Sequence, residues 1–145
     1  MYGRLFDDLV RQNGAKTVLL TTAHFPNRVP KGFLEVHDRH VVLGKELKTP
    51  VAAGGKAWLA YWGDSPTQEQ ILDLYHADKG HPGPKGSYLY ACTLYPILTG
   101  HSPIGLTHNI PHLPKGLITA DEARRFQEAA WRVHREVNGD GARKP

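Results

Sequence analysis

The first 25 residues pair a helical pattern of apolar positions with a continuous apolar run. Residues 3–13 place four apolar side chains at helical spacing: Leu5, Phe6, Leu9 and Val10. Asn13-Gly14 ends that pattern, and residues 16–25 (KTVLLTTAHF) then have the length and composition of a β-strand. A helix, a glycine turn and a continuous apolar strand form the second half of a β–α–β unit, so we expect this strand to be buried on both faces.

The rest of the chain predicts more helices and short strands. Apolar positions at helical spacing predict a helix over residues 33–48 and another over residues 84–98, which Gly100 ends. Between them, residues 49–62 (TPVAAGGKAWLAYW) contain one or two short strand-like pieces. A last helix over residues 118–137 begins with a capping box, because Thr119 can cap the helix and Glu122 follows three residues later.

Length and composition indicate one domain with a short tail. The 145 residues are 40% hydrophobic and 22% charged, which is ordinary for a globular chain that buries its own core. We expect a domain over residues 1–138 and a disordered tail over residues 139–145 (GDGARKP). Cys92 is the single cysteine and cannot form an internal disulfide, and its position on a predicted helix indicates a buried, unreactive thiol.

Charge and hydropathy argue against nucleic-acid and membrane partners. The net charge is +4, but the basic residues are scattered and form no stripe with interleaved aromatic residues. The apolar run over residues 88–98 is too short to span a bilayer and is broken by Pro96. The first ten residues lack the order of a signal peptide. We therefore expect a soluble chain, cytoplasmic unless an N-terminal signal has been lost.

The segment Asp78-Lys79-Gly80-His81-Pro82 is the sharpest candidate for chemistry. A carboxylate that accepts a hydrogen bond from one ring nitrogen of a histidine fixes its tautomer, and the other nitrogen can then take a proton from a serine. A short loop containing Gly80 can bring Asp78 and His81 together, and the proline restricts the backbone after the histidine. The pattern taken alone fits a structural turn equally well.

Residues 72–106 (LDLYHADKGHPGPKGSYLYACTLYPILTGHSPIGL) resemble the last conserved block of the SGNH (GDSL-type) hydrolases, lipases and esterases. In that family an Asp-x-x-His pair precedes a proline, a glycine and a helix that packs on the sheet. Residues 99–103 (TGHSP) and 126–131 (FQEAAW) are also similar to one bacterial branch. The resemblance extends over residues 3–137, and its motif lies within residues 72–103.

The resemblance implies a three-layer α/β/α, flavodoxin-like SGNH hydrolase fold that carries out ester hydrolysis by a Ser-His-Asp mechanism. Asp78 would orient the base and His81 would be the base. The substrate would be a small ester or an acylated carbohydrate, with O-acetyl groups as one class, and the mechanism needs no cofactor.

The chain departs from the family pattern where the nucleophile should be. The family takes its serine from a Gly-Asp-Ser block after the first strand, and its oxyanion hole from two further blocks. None of these precedes the region of resemblance here, so the chain looks like a C-terminal half that holds only the last parallel strands and their helices. A triad without its serine and oxyanion hole loses nearly all of its acceleration, and we expect weak or no activity from this chain alone.

Gly63-Asp64-Ser65-Pro66 offers a replacement nucleophile. Ser65 follows the strand-like KAWLAYW and precedes a segment that can form a helix, and the chain order of serine, aspartate and histidine fits a triad. The alternative is a helix start, in which Asp64 or Ser65 is the cap and Pro66 is the first helical residue.

The nine histidines do not predict a metal site. Histidine pairs such as His37 with His40 could share a helix face, but no cysteine accompanies them and no H-E-x-x-H motif is present. We therefore expect neither a metal nor another cofactor.

The predicted strand over residues 16–25 would have an unpaired edge. Such an edge must be covered or paired, so we expect a homodimer or association with a complementing N-terminal chain. The rival to an enzyme is a non-catalytic binding or assembly module.

Overall fold

A computed structural model describes residues 2–139 of the chain. Its elements are α1 (Tyr2–Gln12), β1 (Leu19–Leu20), a 3-10 turn (Pro26–Arg28), α2 (Lys31–Leu47), β2 (Val51–Ala52), α3 (Gly54–Trp62), α4 (Gln68–Asp73), α5 (Pro84–Thr99) and α6 (Ala120–Asn138). Helices account for 59% of these residues and strands for 4%. The described part of the chain is therefore mostly helical, with one two-stranded parallel sheet.

The predicted three-layer α/β/α SGNH hydrolase fold is wrong. The apolar run over residues 16–25 forms a strand only at Leu19–Leu20, and Leu20 is 38% exposed, so this strand is not buried on both faces. The strand-like KAWLAYW is part of α3. The sequence of a helix that is buried on most sides is a continuous apolar run. Such a run lacks the period of apolar positions that would distinguish a helix from a strand.

The two strands and α2 form a single β–α–β unit. Leu19 pairs with Val51 and Leu20 with Ala52 in the parallel register, and α2 packs against both strands. The approach is close because α2 has a glycine at the contact: a side chain at Gly44 would collide with Val51. Further along the chain, α6 packs against β2 and against α3 and α5.

Trp58 of α3 is completely buried at the centre of the larger apolar core. Its indole is stacked on Tyr90 at 5.2 Å between ring centroids and meets Tyr75 edge-on at 5.0 Å. Phe33 of α2 lies on another side of it. The core therefore joins α2 and α3 to α5 and to the segment that follows α4.

Two helices predicted from local signals are confirmed. Helix α5 runs from Pro84 to Thr99 and ends at Gly100, whose φ of 76° is left-handed. Helix α6 begins with the predicted capping box between Thr119 and Glu122. Of the predicted tail, Gly139 is the C-cap of α6, and residues 140–145 lie outside the described part of the chain. Within residues 2–139, no helix has the length and apolar character needed to cross a membrane.

Gly86, in the first turn of α5, permits the closest contact between that helix and the core. A side chain here would collide with the carbonyl oxygen of Leu74 and with the indole of Trp58. We expect Gly86→Ala to lower the free energy of unfolding by about 2 kcal/mol or more, because the backbone carbonyl cannot move away. Urea denaturation followed by circular dichroism measures this change.

The matched control is Ser87→Ala, an exposed position in the same turn. It should change the free energy of unfolding by less than about 0.5 kcal/mol. Equal effects from the two variants would contradict the packing argument.

Candidate active site

The segment between α4 and α5 forms a closed loop with its two ends tied together. Tyr75 and Pro82 form an antiparallel bridge. The His76 N–H donates to the His81 carbonyl at 2.8 Å, and the Gly83 N–H donates to the Leu74 carbonyl at 2.8 Å. The loop tip therefore comprises residues 77–80, held at its base by backbone hydrogen bonds.

The tight turn at the loop tip is made by Lys79. Lys79 has a left-handed φ of 56°, whereas the φ of Gly80 is not positive. The Lys79 N–H donates to the His76 carbonyl at 2.9 Å, which closes the tip around that residue. The left-handed residue of the turn is therefore Lys79 and not the glycine of the loop, and the loop brings Asp78 and His81 into contact.

Asp78 and His81 are in direct contact. His81 Nδ1 lies 2.8 Å from Asp78 Oδ2, and because a carboxylate can only accept, we assign the proton to Nδ1. Asp78 Oδ1 accepts from the backbone N–H groups of Gly80 at 2.9 Å and His81 at 3.0 Å. One oxygen thus fixes the carboxylate to the loop while the other orients the imidazole.

The orientation leaves His81 Nε2 as the free ring nitrogen. In the neutral ring with its proton on Nδ1, Nε2 carries a lone pair and can accept a proton. The His81 side chain is 80% exposed, so this nitrogen is open to a substrate or to another polypeptide. Among residues 2–139, no Ser or Thr hydroxyl hydrogen-bonds to the His81 ring. His81 is therefore placed to accept a proton at Nε2, and the Asp78 carboxylate holds its ring in position.

The loop environment keeps Asp78 ionised. The backbone N–H of Gly80 lowers the pKa of the carboxyl most strongly, and the hydrogen bonds from the His81 ring and backbone lower it further. These donors stabilise the charged form. A second histidine is nearby, with His76 Nδ1 3.6 Å from Asp78 Oδ2.

Contacts beneath the loop connect it to the core. The Tyr75 hydroxyl donates to the His24 carbonyl, which ties the loop to the segment that follows β1. At the start of α5, Lys85 bridges Asp73 at 2.9 Å and Glu122 at 2.6 Å. Burial would lower the pKa of Lys85, but hydrogen bonds to the two carboxylates outweigh it and raise that pKa. The candidate site is therefore exposed at its tip and anchored at its base.

Phe25 is a neighbour of the site that the sequence did not indicate. A side chain placed at Gly80 would lie 3.7 Å from Phe25 Cε1, and the Phe25 ring is largely exposed. It gives the loop tip an apolar flank. Its one signal in the sequence is that it ends the apolar run over residues 16–25, which points to a strand rather than to a site.

Ser65 is not placed as a nucleophile elbow would require. The segment before it is helix α3 rather than a strand, and Ser65 lies in an exposed bend. Thr67, and not Asp64 or Ser65, caps α4, through a capping box with Gln70. In the part of the chain that the structure describes, no hydrogen bond joins Ser65 to the Asp78–His81 pair.

Two other kinds of chemistry-bearing side chain, the cysteine and the possible metal ligands, form no second centre over residues 2–139. Cys92 is buried, and burial raises the pKa of its thiol to about 12, so the reactive thiolate is not populated at neutral pH. Over residues 2–139, no group of three or more His, Cys, Asp or Glu side chains is arranged to hold a metal ion.

Comparison of the chain with protein-family models, with curated proteins and with solved structures gives no match. The resemblance to SGNH hydrolases therefore remains a prediction from the sequence, and the interpretation of the site depends on its geometry.

The pKa of Asp78 gives a direct test of the loop. Because the folded pKa is lowered, the ionised carboxylate stabilises the loop at every pH above the unfolded value of about 3.9. That stabilisation is lost as the pH falls below this value and through the folded pKa. We expect the carbon NMR signal of the Asp78 carboxyl to titrate at a clearly lower pH in the protein than in a linear peptide of residues 74–83. Equal midpoints would contradict the described hydrogen bonds.

Proposed function

We propose that Asp78 and His81 are the acid–base part of a Ser-His-Asp ester hydrolase site. The observation that carries this proposal is the 2.8 Å hydrogen bond from His81 Nδ1 to Asp78, which leaves Nε2 exposed as a base. The substrate class that the sequence resemblance implies is a small ester or an acylated carbohydrate, including O-acetyl groups.

The pair has a defined part in such a reaction. His81 Nε2 accepts the proton of a serine hydroxyl as that oxygen attacks the ester carbonyl, and Asp78 stabilises the imidazolium that forms. The imidazolium then gives its proton to the departing alcohol. In the second half of the reaction, His81 takes a proton from water as the water attacks the acyl-enzyme, and returns it to the serine.

The proposal places the serine and the oxyanion donors on a polypeptide segment that covers the loop tip. The exposed position of His81 is compatible with such a cover, and the exposed Phe25 ring lies next to Gly80 of the loop tip. Excluding water would strengthen the Asp78–His81 interaction, because electrostatic interactions are weakly screened in a dry site. The isolated chain should therefore be a slow catalyst.

A non-catalytic assembly module is the second candidate function. One observation favours it: α1 turns a row of apolar side chains toward solvent, as a docking helix does. Under this alternative, Asp78 and His81 only stabilise the loop.

An activated ester separates the two functions. With p-nitrophenyl acetate we expect slow turnover by the chain and a loss of about tenfold or more in His81→Ala, which corresponds to about 1.4 kcal/mol of barrier. Asp78→Asn should lower the rate several-fold, because an amide does not stabilise the imidazolium as a carboxylate does. Initial rates at neutral pH measure both effects.

Two variants serve as controls in the same assay. His101→Ala removes an exposed histidine outside the loop and should leave the rate unchanged. Ser65→Ala should also retain the rate, whereas a large loss would make Ser65 the nucleophile. If His81→Ala and the wild-type chain have equal rates, the hydrolase proposal fails and the assembly module is favoured.

A further inference from the structure

Helix α1 is attached to the body of the protein by its polar face. Arg4 pairs with Glu46 at the end of α2, and the Arg11 guanidinium donates to the Leu47 carbonyl at 2.9 Å. Asp7 is buried and bonds to Arg11 at 2.7 Å. This is the reverse of an ordinary surface helix, which buries its apolar stripe.

The apolar face of α1 is consequently exposed. Its four large side chains follow the i, i+3, i+4, i+7 spacing of one stripe and are between 54% and 71% exposed: Tyr2, Leu5, Phe6 and Leu9. With roughly 150–250 Å² for each large apolar side chain, the stripe exposes on the order of 500 Å². Patches of that size are at the upper end for monomers and mark interaction surfaces.

The strand β1 has an open edge. The N–H groups of Leu19 and Thr21 donate to Pro50 and Ala52 of the β2 segment, so the intervening Leu20 directs its backbone groups away from β2. Within residues 2–139, the Leu20 backbone has no hydrogen-bond partner on that side. The opposite edge is closed, because the Asn138 amide donates to and accepts from the Val51 backbone at 3.0 Å.

The stripe and the edge both lie near the C-terminal end of α2, and together they are called the α1–β1 surface. Both α1 and β1 pack against the same part of α2: Gly3 of α1 is against Leu43, and Leu19 of β1 is near Gly44. Only six residues separate the end of α1 from the start of β1. A partner that pairs with β1 would therefore be close to the exposed stripe of α1.

We propose that the occupant of this surface is a second copy of the same chain. The two copies would pair their β1 edges antiparallel about a two-fold axis, giving a four-stranded sheet in the order β2, β1, β1, β2. The α1 stripes would be buried at the same interface. The inference does not depend on the proposed hydrolase function.

Three observations favour a second copy. A lipid surface could cover the α1 stripe but could not pair with the backbone of Leu20, whereas a peptide strand can. The arginines on α1 are neutralised within the chain by Glu46 and Asp7, so two copies would not repel each other there. The exposed stripe also supplies more than half of the roughly 800 Å² per partner that a standard interface buries.

Analytical ultracentrifugation and light scattering test the proposal. At 1–100 µM we expect a species of about 32 kDa, twice the 16.1 kDa of one chain. Phe6→Lys should raise the dissociation constant at least tenfold, because it places a charge in the buried stripe. Leu20→Pro removes an N–H that has no partner within the described chain and should also weaken the dimer.

Leu98→Lys is the matched control, since Leu98 is 70% exposed on α5 and Phe6 is 66% exposed on α1. It should remain a dimer, and circular dichroism should show that every variant is folded. A monomer at all concentrations, or a dimer unaffected by Phe6→Lys, would overturn the proposal. Monomers that bind phosphatidylcholine–phosphatidylglycerol vesicles through Phe6 would identify a membrane as the occupant, which also overturns it.

Discussion

The burial of Trp58 is the constraint on which the rest of the structure depends. Its indole contacts Tyr75 before the candidate loop and the Gly86 position after it, so one side chain fixes both ends of the loop. The stacked Tyr90 accepts a hydrogen bond from the Ala23 N–H, which holds the chain that leaves β1. Because interiors are close-packed, a change at this point would be transmitted to the loop and to the segment carrying Phe25.

The loop of the candidate site is held firmly at its two ends and is exposed at its tip. The backbone hydrogen bonds to Asp78 need no help from distant residues, so the pair is built locally and the core only determines where it lies. In water, the electrostatic interaction between the two side chains is screened. Covering the tip would strengthen the interaction between Asp78 and His81 without changing its geometry. What the pair can do therefore depends on which segment or molecule covers it.

Local signals in the sequence predicted some elements well, and tertiary contacts determined the others. The capping box at Thr119 and the glycine after α5 act within a few residues, and so does the spacing of Asp78 and His81. Helix α3 was expected to be strand because none of its residues is exposed, so its apolar positions do not show the period that marks a helix. The length of β1 depends on what pairs with it, and the position of Phe25 beside Gly80 depends on a contact between distant segments. No pattern along the chain contains that information.

The Asn138 side chain closes one of the two edges of the sheet. By occupying both backbone groups of Val51, the last residue of α6 takes the place of a neighbouring strand and leaves nothing for another to join. A sheet that can be extended from one edge alone cannot propagate: once β1 is paired, each outer edge of the combined sheet is already closed. Edge association in this protein therefore ends in a closed assembly rather than a fibril, and a single amide at a helix end separates the two outcomes.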